Sequence, residues 1–165
     1  MVALVALSAL AVNVLHITAK VTNASTAADF VNEQRYNDVY QRDLTTIQTA
    51  AVPFAATATT PGVCGKGGTK QGCFDTGEKV IVDLRAMLTD LSRVSVPPRY
   101  LKADADLRKG LQLDIDALTL RDQAIATKDP NASFDASNQK GQQADALLHQ
   151  AYGEFPADNA PKPPL

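Results

Sequence analysis

Apolar residues recur at steps of three and four along most of the chain, and this spacing predicts amphipathic helices. Four such segments are expected, over residues 25–56, 75–96, 98–127 and 132–155. Each apolar stripe covers one helix face, which is removed from water only by packing against a neighbouring helix. The residues expected on these faces are Tyr36, Tyr40, Leu44, Ile47, Ala51 and Phe54; Val80, Ile81, Leu84, Met87, Leu88, Leu91, Val94 and Ser95; Tyr100, Ala103, Leu107, Leu111, Ile115, Leu118 and Ile125; Phe134, Gly141, Ala144, Leu148, Ala151, Tyr152 and Phe155.

Helix-start and helix-stop residues separate these segments. Asp75 with Glu78 three positions later resembles a capping box, so the second helix is expected to begin at Asp75. Pro53 is expected to end or kink the first helix. The pair Pro97-Pro98 ends the second helix and opens the third, where a proline is well tolerated. Amphipathic helices joined by short connections predict an all-α, antiparallel four-helix bundle over residues 23–155.

An apolar segment precedes the bundle. Met1 to Ala19 contains no charged residue, and Lys20 follows. A helix of that length spans about 28 Å, close to the ~30 Å hydrocarbon core of a bilayer. We therefore predict a transmembrane or signal-anchor helix over residues 1–22. Its polar side chains Asn13 and His16 are better placed against other transmembrane helices than in lipid, and we predict that they contact a partner there.

Whether this helix is retained is decided by its flanks. A cleavable signal peptide begins with a basic region, and no basic residue precedes the apolar run. A retained anchor is therefore favoured over a cleaved signal, which would give a secreted protein, and over a buried core helix. The missing basic flank also leaves open that cytoplasmic residues precede Met1.

The two cysteines indicate export. Cys64 and Cys73 lie in a loop expected over residues 58–75, with four glycines between them. Two cysteines in a membrane-directed chain are best explained by a disulfide. Structural zinc usually takes four ligands, and a thioredoxin-like pair has two residues between its cysteines rather than eight. The bundle is therefore expected on the extracytoplasmic side.

The amino-acid composition gives few indications of a specific binding or catalytic function. The net charge is −2, so no basic excess exists to hold nucleic acid phosphates. Residues 156–165 contain four prolines and are expected to form an extended tail. The acidic residues of the third helix alternate with basic ones, which predicts ion pairs on a solvated face. These residues are Asp104, Asp106, Asp114, Asp116 and Asp122, with Arg108, Lys109 and Arg121.

Imidazole is scarce, because His16 and His149 are the two histidines. His149 is expected on the surface near the end of the last helix, where the helix dipole favours a cation. Haem on His149 with Tyr36, Tyr40 or Tyr152 nearby is left open as an alternative, but no cofactor, metal or catalytic residue is predicted.

The sequence thus predicts a non-enzymatic, membrane-anchored extracytoplasmic bundle that serves as an accessory or structural subunit beside a membrane-protein partner. The alternative is a bundle that binds a small molecule, as a sensor domain or as an exported carrier of haem or lipid. The identity of a partner or ligand, the oligomeric state and the handedness of the bundle are not fixed by the sequence.

We expect Cys64 and Cys73 to form a disulfide that stabilises the fold by about 2–3 kcal/mol through the smaller entropy of the unfolded chain. Mass spectrometry after alkylation of unreduced, denatured protein should show no adduct at either cysteine. An adduct at both would contradict the pairing.

Overall fold

A computed structural model describes residues 27–59, 70–126 and 134–157 of the chain. These residues form α1 (Ala27–Thr59), α2 (Lys70–Ser92), α3 (Leu101–Ala126) and α4 (Asp135–Glu154), with a 3-10 turn at Pro98–Tyr100 before α3. No strand occurs within these ranges. The prediction of an all-helical bundle is therefore confirmed for this part of the chain.

The helix α3 runs antiparallel to α2. Arg108, in the second turn of α3, donates to the carbonyl oxygen of Leu91 near the end of α2 at 2.9 Å. At the other end of the pair, Gly77 of α2 packs against Arg121 and Asp122 near the end of α3.

The same pattern relates α3 to α4. Ser137 at the start of α4 donates to the carbonyl oxygen of Ala117 at 2.8 Å. Gln150, near the end of α4, donates to Asp106 at the start of α3, also at 2.8 Å. The two helices therefore run in opposite directions, as sequential helices of a bundle do.

The helix α1 runs parallel to α3. Tyr36 contacts Asp104, and eighteen residues further along α1, Phe54 lies against Arg121. Because α3 is antiparallel to α2 and α4, α1 is antiparallel to both of them as well.

The core follows the predicted stripes with small shifts. In α1, Ala50 is buried where Ala51 was expected, and in α2 Leu88 is half-buried. Ser95 lies beyond the end of α2 and is exposed. The large, fully buried side chains at the centre are Tyr36, Tyr40, Phe54, Ile81, Met87, Leu91, Tyr100 and Leu107.

The predicted start of the second helix is wrong, and Pro53 does not end the first helix. The second helix begins at Lys70 rather than at Asp75, and the Thr76 hydroxyl donates to the Gly72 carbonyl oxygen within it at 2.9 Å. The helix α1 continues past Pro53 to Thr59. Pro53 is exposed while its neighbour Phe54 is buried, so packing of Phe54 holds the segment against α3. Tertiary packing thus overrides the local breaking tendency of glycine and proline.

One glycine sets the approach of α3 to α4. A Cβ atom built on Gly110 would lie 2.8 Å from both Cγ and Cδ2 of Leu148 and 3.3 Å from its backbone nitrogen. Real Cβ atoms do not come that close, so the two helices approach as they do because position 110 carries no side chain.

We predict that Gly110→Ala destabilises the protein by about 1–3 kcal/mol, because the added methyl group overpacks the contact with Leu148. Gly153→Ala is the matched control in α4, where a Cβ would meet nothing within 4 Å. This second change should stabilise by about 0.5–1 kcal/mol through helix propensity. Urea unfolding of both variants measures the difference, and a Gly110→Ala protein as stable as the parent would contradict the proposed packing.

Candidate functional site

A buried carboxylate joins three helices at the end of the bundle where α1 begins. The Tyr36 hydroxyl of α1 donates to Asp104 Oδ1 of α3 at 2.7 Å. Arg108 Nε, one turn along α3, donates to Asp104 Oδ2 at 2.7 Å. The same guanidinium donates to the Leu91 carbonyl oxygen of α2. Both carboxylate oxygens therefore have a partner, and the arrangement links α1, α2 and α3.

The pKa of the phenol determines which side chain donates the hydrogen bond in the Tyr36–Asp104 contact. Burial raises the pKa of the Tyr36 hydroxyl well above its ordinary value, and the hydrogen bond to Asp104 raises it further. The phenol therefore stays protonated and serves as the donor. Such charge-assisted hydrogen bonds are stronger than neutral ones, since the acceptor is ionised.

A second ion pair lies one turn closer to the start of α1. Glu33 is 1% exposed, and its carboxylate accepts two hydrogen bonds from the Arg99 guanidinium, one of them 2.6 Å between Nη2 and Oε2. Arg99 belongs to the 3-10 turn that precedes α3. This fork-shaped pairing fixes the turn against α1. Asn37 Nδ2 also donates to the Tyr100 hydroxyl of the turn, at 3.4 Å.

Three aromatic rings fill the space between these polar contacts. The centroid of Tyr100 lies 5.5 Å from that of Tyr36 and 5.1 Å from that of Phe155, with both pairs edge to face. Phe155 follows α4 directly, so the aromatic group ties the end of α4 to the start of the bundle. Edge-to-face pairs of this kind contribute about 0.5–1.5 kcal/mol each beyond their buried area.

Further along the bundle lies a titratable layer between α1, α3 and α4. The Tyr40 hydroxyl donates to the Tyr152 hydroxyl at 2.8 Å. Burial, together with the smaller effect of the nearby Asp145 carboxylate, raises the pKa of the Asp114 carboxyl to about 7. Burial also raises the pKa of Asp145, which His149 opposes. Asp114 is thus the carboxyl that exchanges its proton near neutral pH.

The opposite end of the bundle holds another buried ion pair, between Arg121 and Asp122. The Arg121 guanidinium lies 4.5 Å from the centroid of the Phe54 ring and donates to Asp122 Oδ1 at 3.1 Å. Asp122 Oδ2 is buried and has no hydrogen-bond partner within the described residues. Burial raises the pKa of Asp122 to about 6, with Arg121 opposing the shift and Glu78 adding to it. A Cβ on Gly77 would lie 3.0–3.2 Å from this pair, so the glycine makes room for it.

Apolar side chains are exposed where the chain enters the bundle. Phe30 is 49% exposed and Val31 is 62% exposed in the first two turns of α1, and Leu101 is 60% exposed at the start of α3. The parallel contacts of α1 with α3 put these residues at the same end of the molecule. We call Phe30, Val31 and Leu101 the entry surface.

Several predicted site residues lie outside the described residues. These are Asn13, His16 and Cys64, together with the rest of the expected helix over 1–22. The backbone at Cys73 is helical and belongs to α2. The disulfide, the anchor and the partner contacts therefore stay predictions. No helix among residues 27–59, 70–126 and 134–157 is apolar and long enough to cross a membrane.

The remaining candidates are placed by the structure. His149 is exposed on α4, as expected, while Tyr36 and Tyr40 are buried and hydrogen-bonded elsewhere. The described part of the chain contains no group of three or more histidine, cysteine or acidic side chains that could hold a metal ion.

The prediction of a solvated acidic face on α3 is wrong for Asp104, Asp122 and Arg121, which are buried. It fails because these charges pair with partners on other helices or with a direct neighbour, so that they are withdrawn from water. Ion pairs toward solvent do occur, as between Asp116 and Lys140 of α4 at 3.2 Å.

The buried carboxylates left only faint signals in the sequence. Glu33 precedes Tyr36 by three residues and Tyr40 by seven, which puts it on the buried stripe of α1. Asp104 and Arg108 are four residues apart, a spacing that places them side by side on a helix. A buried stripe that also counts charged residues would include both Glu33 and Asp104.

No protein-family model, no curated protein and no solved structure matches this chain.

We predict that Asp114→Asn stabilises the protein at pH 8 by roughly 1–2 kcal/mol and has little effect at pH 4, close to the pKa of the unfolded chain. The folded-state pKa of Asp114 lies above that of the unfolded chain, so ionisation of this carboxyl costs stability as pH rises from about 4 through about 7. The asparagine imitates the protonated form and removes this cost.

Urea unfolding at both pH values measures the effect, with Asp38→Asn on the exposed side of α1 as the control. An equal gain at pH 4 and pH 8 would show that the charge of Asp114 is not what matters.

Proposed function

We propose that this protein is a non-enzymatic accessory or structural subunit, whose helical bundle is held on the extracytoplasmic side of a membrane by a helix over residues 1–22. There it contacts a membrane-protein partner. The observation that carries the proposal is the entry surface, whose apolar side chains remain exposed at the bundle end nearest the apolar N-terminal segment.

The position of this surface along the chain supports the proposal. Phe30 lies only ten positions after Lys20, which follows the apolar run. These ten steps span about 15 Å as a helix and at most ~36 Å fully extended. A bundle tethered by residues 1–22 therefore presents its entry surface close to the membrane, within reach of a neighbouring membrane protein.

The packing beneath this surface gives a second argument. The Glu33–Arg99 pair and the Tyr36–Asp104 contact fix the starts of α1 and α3 to each other. An interaction surface gains affinity when its parts are already ordered, since less conformational freedom is lost on binding. Single exposed apolar residues are common on protein surfaces. The entry surface favours a docking role because its three residues lie at the same ordered end of the bundle.

The anchor contributes its own contacts. Asn13 and His16 are three residues apart, so they lie on one face of a helix over residues 1–22. Polar side chains at this depth favour a neighbouring transmembrane helix over lipid. Such a partner would be held by two contacts, one with Asn13 and His16 inside the membrane and one with the entry surface outside it.

A second function, binding of a small ligand by the bundle, is favoured by a surface groove between α2, α3 and α4. It would not require a partner protein, and it is compatible with either a retained or a cleaved N-terminal segment.

The proposal predicts that the full chain stays in the membrane fraction after carbonate washing and retains Met1. Site-specific photocrosslinking tests the partner, with a photoreactive phenylalanine analogue at position 31 of the full chain. We expect one discrete crosslinked species from position 31. We expect none from position 82, an exposed valine of α2 toward the other end of the bundle.

The double variant Phe30→Ser/Val31→Ser, made without the photoreactive residue, should reduce co-purification of the same partner in mild detergent by about tenfold, corresponding to the loss of some 1.4 kcal/mol of apolar contact. The matched control is Val52→Ser/Val82→Ser, which changes two equally exposed valines away from the entry surface. A mature chain that begins near Ala27 would overturn the anchor, and equal crosslinking from positions 31 and 82 would overturn the docking surface.

A further inference from the structure

A shallow groove of about 350 Å³ lies over α3, between α2 and α4. Arg85 of α2 forms one side and Lys140 of α4 the other. Gln112, Asp116, Ile115 and Leu120 of α3 lie between them. None of these residues belongs to the entry surface, and the proposed accessory role makes no use of the groove.

Two of the three charged side chains that line the groove, Asp116 and Lys140, pair with each other. Asp116 accepts a hydrogen bond at Oδ1 from Gln112 Nε2, at 3.0 Å, and one at Oδ2 from Lys140 Nζ, at 3.2 Å. Its carboxylate is thereby shared between α3 and α4. The Arg85 guanidinium has no acidic partner among the described residues, so the groove carries one cation in excess.

The apolar part lies beside this cation. Ile115 is almost completely buried in the core and Leu120 is half-buried, and both line the groove. A ligand that combines one negative charge with a small apolar body would satisfy both features. The volume is at the lower end of the roughly 300–1,000 Å³ typical of small-molecule sites.

We infer that this groove binds a small organic monocarboxylate, whose head group pairs with Arg85 and whose apolar body lies on Ile115 and Leu120. Guanidinium matches a carboxylate with two parallel hydrogen bonds. A phosphate or a polyanion fits less well, because Lys140 is already paired and Asp116 repels additional negative charge. The inference goes beyond the proposed accessory role, since it requires neither the anchor nor a partner, and it gives the second candidate function a defined site and ligand class.

The test uses the full chain in lipid nanodiscs and 4-fluorophenylacetate as the probe, followed by ¹⁹F NMR line broadening and corrected with empty nanodiscs. We expect saturable binding with a dissociation constant on the order of millimolar, as for a ligand of about ten heavy atoms. The neutral probe 4-fluorophenylacetamide should bind at least about tenfold more weakly, because it lacks the charge that Arg85 recognises.

Three variants test whether binding depends on the charge of Arg85 or on the overall charge of the protein. Arg85→Gln should weaken binding of 4-fluorophenylacetate about tenfold. Arg35→Gln, which removes an equally exposed cation from α1, should leave binding unchanged within about twofold. Asp116→Asn should tighten binding about threefold, because it removes the repelling carboxylate and releases Lys140.

The inference is overturned if the acid and the amide bind equally well, if Arg85→Gln has no larger effect than Arg35→Gln, or if Asp116→Asn weakens binding. It is also overturned if inorganic phosphate displaces the probe at concentrations below the dissociation constant of the probe. Circular dichroism of each variant verifies that the helices are retained, and because Arg85 and Arg35 are exposed, both variants are expected to fold.

Discussion

Burial of the Asp104 carboxylate is the constraint on which the arrangement of the helices depends. A carboxylate withdrawn from water costs several kcal/mol unless hydrogen bonds and an opposite charge replace the lost solvation. Here the replacement comes from Tyr36 on α1 and from Arg108, which also reaches the backbone of α2. A shift of α1 by one turn would remove the phenol and leave the charge incompletely satisfied. Apolar packing alone tolerates such shifts far better, so the carboxylate selects one register among several that would bury similar area.

The two ends of the bundle use buried charge differently. At the end where α1 begins, Glu33 and Asp104 each find two donor contacts, and aromatic rings close the spaces between them. At the other end, Asp122 accepts one hydrogen bond from Arg121, and its Oδ2 has no partner among the described residues. Burial raises the pKa of this carboxyl to about 6, so it takes up a proton at mildly acidic pH.

Much of this architecture could be predicted from the sequence, because periodic apolar residues are a dense and redundant signal. The stripe of α3 from Tyr100 to Ile125 is buried at every expected position. The helix boundaries are less predictable, since Gly77 and the residue after Pro53 make contacts with residues far away in the chain. Gly77 packs closely against the Arg121–Asp122 pair, Phe54 packs against Arg121, and no local pattern encodes either contact. The same reason explains why the acidic residues of α3 were assigned to solvent. Charge alternation along a helix gives the sign of each group but not its partner on another helix.

The length of α1 has a mechanical consequence. It comprises 33 residues, or about 50 Å, whereas α4 comprises 20 residues, or about 30 Å. Glu33 is the first fully buried residue of α1, and its carboxylate pairs with the Arg99 guanidinium. A pull on Ala27 is therefore passed on through this fork to the 3-10 turn. A force of this kind would be felt at the α2–α3 connection before it disturbed the interior, which makes the 3-10 turn the point where strain from outside enters the molecule.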